Sequence, residues 1–177
     1  TTGTCNTMGT ASTMTSIAEA LGFTLPGATS IPATDSAHPR MAADCGNRIV
    51  DMVWEDLTPE RILSRGSFDN ALVAYMALGG STNAAVHLIA MARRAGLPLT
   101  LEDLDAAGRR IPVLANLFPS GEYLMEEFFF AGGLTALLER LRAHLDCSAM
   151  TVTGRTLGEN VAGSKVWNDD VMRPLER

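Results

Sequence analysis

The chain reads as an α-rich layer of the kind that packs over a sheet. Apolar residues recur at helical spacing along most of its length, and only two short stretches run apolar in the manner of strands. Glycines, prolines and cap-type residues separate these segments.

The first helix is expected from Thr10 to Leu21, with Ala11, Met14, Ile17, Ala18 and Leu21 on one face and Gly22 as its stop. Phe23 to Pro32 follows as a loop rich in turn residues. Ser36 is placed to cap the next helix, with Pro39 in its first turn and Met41, Cys45, Ile49, Met52 and Val53 lining one face. Thr58-Pro59-Glu60 opens a short helix ending near Ser64. Ser67 opens another, with Phe68, Ala71, Leu72, Tyr75 and Met76 inward.

Gly79-Gly80-Ser81-Thr82-Asn83 interrupts that run. The helix beyond it carries Ala85, Val86, Ile89 and Ala90 and stops at Gly96, just before Pro98. Thr100-Leu101-Glu102-Asp103 caps a short helix to Ala107. Ile111 to Leu117 is the first strand candidate. Gly121 to Phe130 reads as a helix broken at Gly132-Gly133, and Leu134, Leu137, Leu138 and Leu141 continue as another. Met150 to Thr153 is a short strand or extended segment. Beyond Gly154 the pattern weakens, and Asn168 to Arg177, polar and carrying Pro174, reads as a linker or tail.

A chain of 177 residues, 46% hydrophobic and 19% charged, is long enough for one domain with a real core. The net charge of −6 and the absence of a basic run argue against nucleic acid as a partner. No apolar stretch has the length of a membrane span and no signal peptide opens the sequence, so a soluble, cytoplasmic protein is expected. Cys5, Cys45 and Cys147 are odd in number and far apart, which fits neither a disulfide framework nor a self-contained metal site. The sequence begins at Thr1 rather than Met, and a loop carrying chemistry so near a chain end is expected of a piece of something longer.

The most informative string is Gly3-Thr4-Cys5-Asn6-Thr7-Met8-Gly9-Thr10-Ala11-Ser12-Thr13-Met14. It sets a cysteine in a glycine- and threonine-rich loop just before a helix. A thiolate there meets the positive end of the helix dipole, which favours a lowered pKa and metal ligation. The bland alternative is a buried structural cysteine. Asn6, Thr7, Gly9 and Thr10 have backbone N–H groups suited to cluster sulfurs or a carboxylate, or serve only to cap the helix. Ser81, Thr82 and Asn83 form a polar loop at a helix start, a candidate anion site whose alternative is a plain helix–helix turn. Asp35, His38 and Arg40 precede a helix, either as a polar cluster for an acid or as a capped start. Cys45 and Cys147 read as bystanders. The carboxylates of Asp51, Glu55, Asp56, Glu126 and Glu127 read as solvated helix faces.

The Cys5 string, Leu78 to Ala84 with His87-Leu88, and Asn116 to Met125 with Ala131 to Leu134 together resemble the dihydroxy-acid/sugar-acid dehydratase family of iron–sulfur enzymes. The wording after Cys5 looks most like the pentonate (arabinonate or xylonate) branch. The resemblance implies that this is an internal fragment of an α/β cluster-binding domain, residues 1–150 being part of the N-terminal domain and 151–177 an extended segment toward a C-terminal domain.

The resemblance further implies a 2Fe–2S cluster held by three cysteines, with Cys5 as the third ligand, and a Mg²⁺ ion held by residues outside this chain. It implies loss of water from a 2,3-dihydroxy sugar acid to give a 2-keto-3-deoxy acid. No catalytic residue lies in the fragment, because the family's base is a serine of the C-terminal domain. The expected partners are a small-molecule sugar acid and further copies of the protein, as a dimer or tetramer. The branched-chain dihydroxy acids are the alternative substrates. Readings of another class are a non-catalytic helical binding domain and an electron-transfer protein, the latter disfavoured by the cysteine spacing.

Overall fold

The computed structural model describes residues 5–175; Gly3 and Thr4 of the cysteine string and Glu176 and Arg177 of the tail lie outside the described residues. Nine α-helices are present among the described residues: α1 (Thr10–Ala20), α2 (Ala37–Trp54), α3 (Pro59–Ile62), α4 (Arg65–Ala77), α5 (Thr82–Arg94), α6 (Leu101–Arg110), α7 (Met125–Phe130), α8 (Gly133–Arg140) and α9 (Leu157–Val161). Single 3₁₀ turns occur at Ala28–Ser30 and Arg142–His144.

The organising element is α4. Asn70 through Tyr75 are all buried, so this helix has no solvent stripe. One side, with Val73, Ala74 and Ala77, packs against Leu114, Leu117, Phe128, Leu134, Leu137 and Leu138. Its other side, with Phe68, Ala71 and Leu72, meets Ile17 and Leu21 at the end of α1, and Ala84, Leu88 and Ala92 of α5. A helix apolar all round belongs in the middle of a core, and α4 joins two apolar clusters into one body.

The helix starts follow cap chemistry. Ser64, not Ser67, is the N-cap of α4: Ser67 N donates to Ser64 Oγ at 3.1 Å and Ser64 N to Ser67 Oγ at 2.9 Å, a reciprocal capping box. Thr100 and Asp103 make the predicted box for α6. At α2 the predicted cap Ser36 makes no capping bond; Asp35 Oδ1 instead accepts from Ala37 N at 2.7 Å.

Two helices turn a face inward that differs in part from the one their spacing suggests, and a third, α2, buries little of its expected face. In α1 the buried side is Ser12, Thr13, Ser16, Ile17, Glu19 and Ala20, while Ala11 is exposed. Ser12, Thr13 and Glu19 take that face with internal hydrogen-bond partners, whereas buried Ser16 Oγ makes no hydrogen bond among the described residues. In α5 the buried residues are Ala84, Leu88 and Ala92, and Val86 stands in solvent. In α2 only Met52 is buried; Val53 is 72% and Trp54 84% exposed. That helix is tethered by Met52 against Ile62 and Val152, and by Arg48, whose Nε donates to the Val152 carbonyl while its guanidinium grips Glu55 with two bonds.

The strand candidates do not become strands. Residues 111–117 and 150–153 contribute only isolated bridges, Ala115 with Met172, Leu117 with Tyr123 and Met150 with Thr156. The helix expected from Gly121 starts four residues later, at Met125, because residues 116–123 close on themselves as a turn. Gly121 is required there, since a Cβ would lie 2.3 Å from the Asn116 carbonyl carbon. The 151–177 stretch carries α9, and Val171 and Met172 of the segment read as a linker or tail are buried in the larger cluster. Asn116 N donates to Val171 O, and Arg173 N to Leu114 O.

Asn70 is the polar pin of this core. Fully buried on α4, it donates to Asp146 O at 2.9 Å and accepts from Asp146 N at 2.7 Å. Asn70→Leu leaves both Asp146 backbone groups without these partners. The expected loss is about 2 kcal/mol of unfolding free energy in urea titration, from the usual cost of orphaned polar groups. A change below about 0.5 kcal/mol contradicts the pinning role.

Candidate functional site

Cys5 lies in a loop that other segments hold in shape. Ser12 on α1 reaches back, its Oγ donating to Thr7 O at 2.8 Å. Met8 N donates to Phe118 O at 2.8 Å, and Met125 N to Asn6 O at 3.0 Å. The Asn6 side chain adds a bond, its Oδ1 accepting from Glu126 N at 3.3 Å. The turn at 116–125 is therefore the clamp on the cysteine loop.

As a thiol, Cys5 Sγ donates to the Thr7 carbonyl at 3.3 Å, and Thr7 Oγ1 stands 3.6 Å away. Hydrogen bonds from the Thr7 backbone and hydroxyl, with smaller ones from Ser12 and Gly9, hold the thiol below its ordinary pKa despite some burial. Cys5 sits five positions before α1, and the loop's own polar groups stabilise the thiolate. The expected threonine cap of α1 is absent: its N-cap is Gly9, with no side-chain bond.

The two sequence strings that look unrelated along the chain meet at Thr13. Its Oγ1 donates to Gly9 O at 2.8 Å and accepts from Ser81 N at 3.0 Å. Thr10 Oγ1 lies 3.0 Å from Ser81 Oγ. The fit needs Gly80, where a Cβ would come within 2.6 Å of the Tyr75 ring and 2.7 Å of Thr13 Cγ2. Ser81 is the N-cap of α5, while Thr82 and Asn83 are exposed. None of these three lines the cavity beside Cys5.

That cavity measures about 420 Å³. Cys5, Asn6, Ser12 and Thr15 form one side, the 28–34 segment another, and His38, Met125 and Glu126 complete it. His38 thus faces the cavity, Asp35 is spent on capping α2, and Arg40 donates to Ser36 Oγ at 3.0 Å. A larger groove of about 910 Å³ lies elsewhere, lined by Met14, Phe23, Leu63, Phe68, His87 and Met91 among others. It contains no thiol, so the chemistry of Cys5 belongs to the smaller cavity. Cys45 and Cys147 are half-buried free thiols away from it.

One wall residue system went unread in the sequence. Glu19, on α1 and 4% exposed, accepts from Gly27 N at 2.8 Å, Thr29 N at 3.2 Å and Thr29 Oγ1 at 2.6 Å. Burial pushes its pKa up, partly offset by the Thr29 hydroxyl and the two backbone donors. A carboxylate within an otherwise apolar-looking helix, eight residues before a Pro-Gly turn, was the available signal.

No group of three or more His, Cys, Asp or Glu side chains is arranged to hold a metal among the described residues. The donor set fits one thiolate ligand to a shared metal centre and offers no carboxylate cage for Mg²⁺. No described helix is long and apolar enough to cross a membrane.

The cysteine loop, its clamp and its cavity sit on a fold that belongs to a known class: residues 1–160 match the family described as dihydroxy-acid/6-phosphogluconate dehydratase N-terminal, and the chain belongs to that family. It is 57% identical over 174 residues to a 6-deoxy-6-sulfo-D-gluconate dehydratase of Pseudomonas putida, covering 98% of this chain and 30% of that protein. It is 51% identical to the L-arabinonate dehydratase of Rhizobium leguminosarum, over 99% of this chain and 31% of the relative. To the dihydroxy-acid dehydratase of Caldanaerobacter subterraneus it is 47% identical, over 98% of this chain and 32% of the relative. The chain thus spans about 30% of the length of such relatives.

Two outcomes test the site's construction. Thr13→Val removes the bond that joins the cysteine loop to the α5 cap and is expected to cost about 1–3 kcal/mol in urea unfolding, while Thr13→Ser retains most of the stability. Equal losses for both variants would mean that the methyl group, not the hydroxyl, matters. For Glu19, the folded state binds more protons than the unfolded state between the ordinary value of 4.5 and the raised one. Its contribution to stability therefore falls as pH rises through that window. The stability of the parent relative to Glu19→Gln, measured from about pH 4 to about pH 8, is expected to decline with rising pH. A pH-independent difference contradicts this.

Proposed function

We propose that this chain is the N-terminal cluster-binding portion of a hydro-lyase that dehydrates a 2,3-dihydroxy sugar acid to a 2-keto-3-deoxy acid. The observation that carries the reading is Cys5, a thiol with a lowered pKa that lines a cavity, in a loop held by three separate segments. Membership of the dehydratase family supports it, as do relatives named for sugar-acid substrates. The whole domain is of α/β class in this proposal, the described helices being one part of it, and residues 151–177 lead toward a second domain.

Cys5 would be one thiolate ligand of an iron–sulfur cluster of 2Fe–2S type, the other ligands and the Mg²⁺ site lying outside this chain. When bound, such a cluster supplies a Lewis acid for the departing hydroxyl. This chain's own residues hold the thiolate in place through Ser12, Asn6 and Met8, and wall the cavity against bulk water with the 28–34 segment. Ser81, Thr82 and Asn83 cap and open α5 beside Thr10; a substrate role for them remains part of the proposal rather than of the cavity wall. A cytoplasmic homo-oligomer acting on a small-molecule acid, with no nucleic-acid or membrane partner, completes the reading.

The test uses the full-length protein purified without oxygen. The parent is expected to contain iron and acid-labile sulfide, absorb in the visible range and dehydrate sugar acids. Cys5→Ser is expected to lose cluster and turnover together, with its far-UV circular dichroism unchanged. The 177-residue chain alone is expected to be inactive. Full activity in Cys5→Ser, or lyase activity of this chain by itself, overturns the proposal.

A further inference from the structure

Glu19 and Thr29 form a unit that the reaction chemistry above does not use, and its Thr29 lines the cavity beside Cys5 while Glu19 lies buried behind it. Thr29 lies in the 3₁₀ turn at Ala28–Ser30 and lines that cavity. Its hydroxyl and its backbone N–H both point at Glu19 Oε2, at 2.6 and 3.2 Å, while Gly27 N takes Oε1 at 2.8 Å. Gly27 has a φ of +81°, which turns the chain so that both N–H groups reach one carboxylate. Among the described residues no cation pairs with Glu19: its hydrogen bonds come from this turn, and burial and those same donors set its pKa.

The consequence is directional. A threonine hydroxyl has one proton and two lone pairs. Here the proton is directed at Glu19, so what Thr29 Oγ1 keeps for a ligand is acceptor capacity only. A serine hydroxyl free to rotate presents either polarity; Thr29 does not. An acceptor of fixed direction favours ligand groups that donate, such as sugar hydroxyls. It opposes carboxylates, phosphates and sulfonates, which only accept, and it gains nothing from a methyl group.

We propose that Thr29, oriented by Glu19, is a substrate-binding residue that reads a hydroxyl group of the acid beyond the two that react. Glu19 is the positioning residue behind it. The inference rests on the dehydratase reading and names the feature of this chain that would separate polyhydroxylated acids from branched-chain dihydroxy acids. Ser30, next in the turn, is anchored away from this task by accepting from Leu134 N at 3.1 Å, which ties the wall to α8.

The test compares KM and kcat of the full-length protein for L-arabinonate and D-xylonate with those for 2,3-dihydroxyisovalerate, which has no hydroxyl beyond the reacting pair. Thr29→Val is expected to raise KM for the sugar acids about tenfold, the usual scale of one buried hydrogen bond, with little change in kcat or in KM for the dihydroxyisovalerate. Thr29→Ser is expected to restore the sugar-acid KM. In Glu19→Gln the amide N–H can donate to Thr29 Oγ1, freeing the hydroxyl proton to turn toward the cavity, so KM for the sugar acids is expected to rise although Thr29 is intact.

Iron content of each variant checks that the site has assembled. Where Thr29→Val fails that check, Thr29→Ser and Glu19→Gln decide the matter. Equal changes for both substrate classes, or none for either, overturn the inference. A parent protein that dehydrates none of these acids instead overturns the functional reading on which the inference stands.

Discussion

The Thr13 hydroxyl is the constraint on which the arrangement of the site depends. It gives its proton to the Gly9 carbonyl and takes one from Ser81 N, so a single side chain closes the cysteine loop and seats the start of α5. Both partners are backbone groups, and the hydroxyl reinforces the ties that Thr13 N to Gly9 O and Thr10 Oγ1 beside Ser81 Oγ also supply. Gly80 makes this contact possible by leaving room for Thr13 and the Tyr75 ring. With α1 so fixed, Ser12 sets the loop from one side and the 116–126 turn clamps it from the other. The cysteine thus occupies a preformed position, so that under the proposed function the ordering of its loop would not have to be met on metal binding.

The same helix serves the opposite wall. Glu19, on the next turns of α1, gathers the 27–29 backbone by hydrogen bonds alone. A buried carboxylate costs stability unless its oxygens are satisfied, and here every recorded partner is a donor from one turn. The expense of burying that charge is what fixes the wall. One helix therefore carries the loop closure at Ser12 and Thr13 and the wall anchor at Glu19, which explains why polar residues share its buried face with Ile17 and Ala20.

Much of this was legible in the sequence, for reasons that differ by element. Helices with strong local signals were readable: Thr100 with Asp103 makes its box from adjacent residues, and Gly96 ends α5 where expected. What failed needed long-range information. The apolar stretch 111–117 has strand character, yet it finds only single bridges, because the groups it pairs with belong to Ala77, Tyr123 and the 171–173 segment rather than to a neighbouring strand. The 168–175 tail looked like a linker because its two anchoring side chains, Val171 and Met172, form no periodic pattern. At α2 the amphipathic spacing is real, but among the described residues only Met52 finds a core to enter. At the site, Cys5 was recognisable from its string, whereas Thr13, Glu19 and Thr29 were not: each acts through backbone partners that only the folded chain brings near.

The central claim is that this scaffold presents Cys5 as a metal-bound thiolate. Its most direct test is a crystal of the full-length protein grown without oxygen, with anomalous difference density collected at the iron edge. The account predicts an iron peak bonded to Cys5 Sγ at the mouth of the cavity lined by Ser12, Thr15 and Thr29. Iron bound elsewhere in the protein, with Cys5 Sγ still on the Thr7 carbonyl, would contradict it.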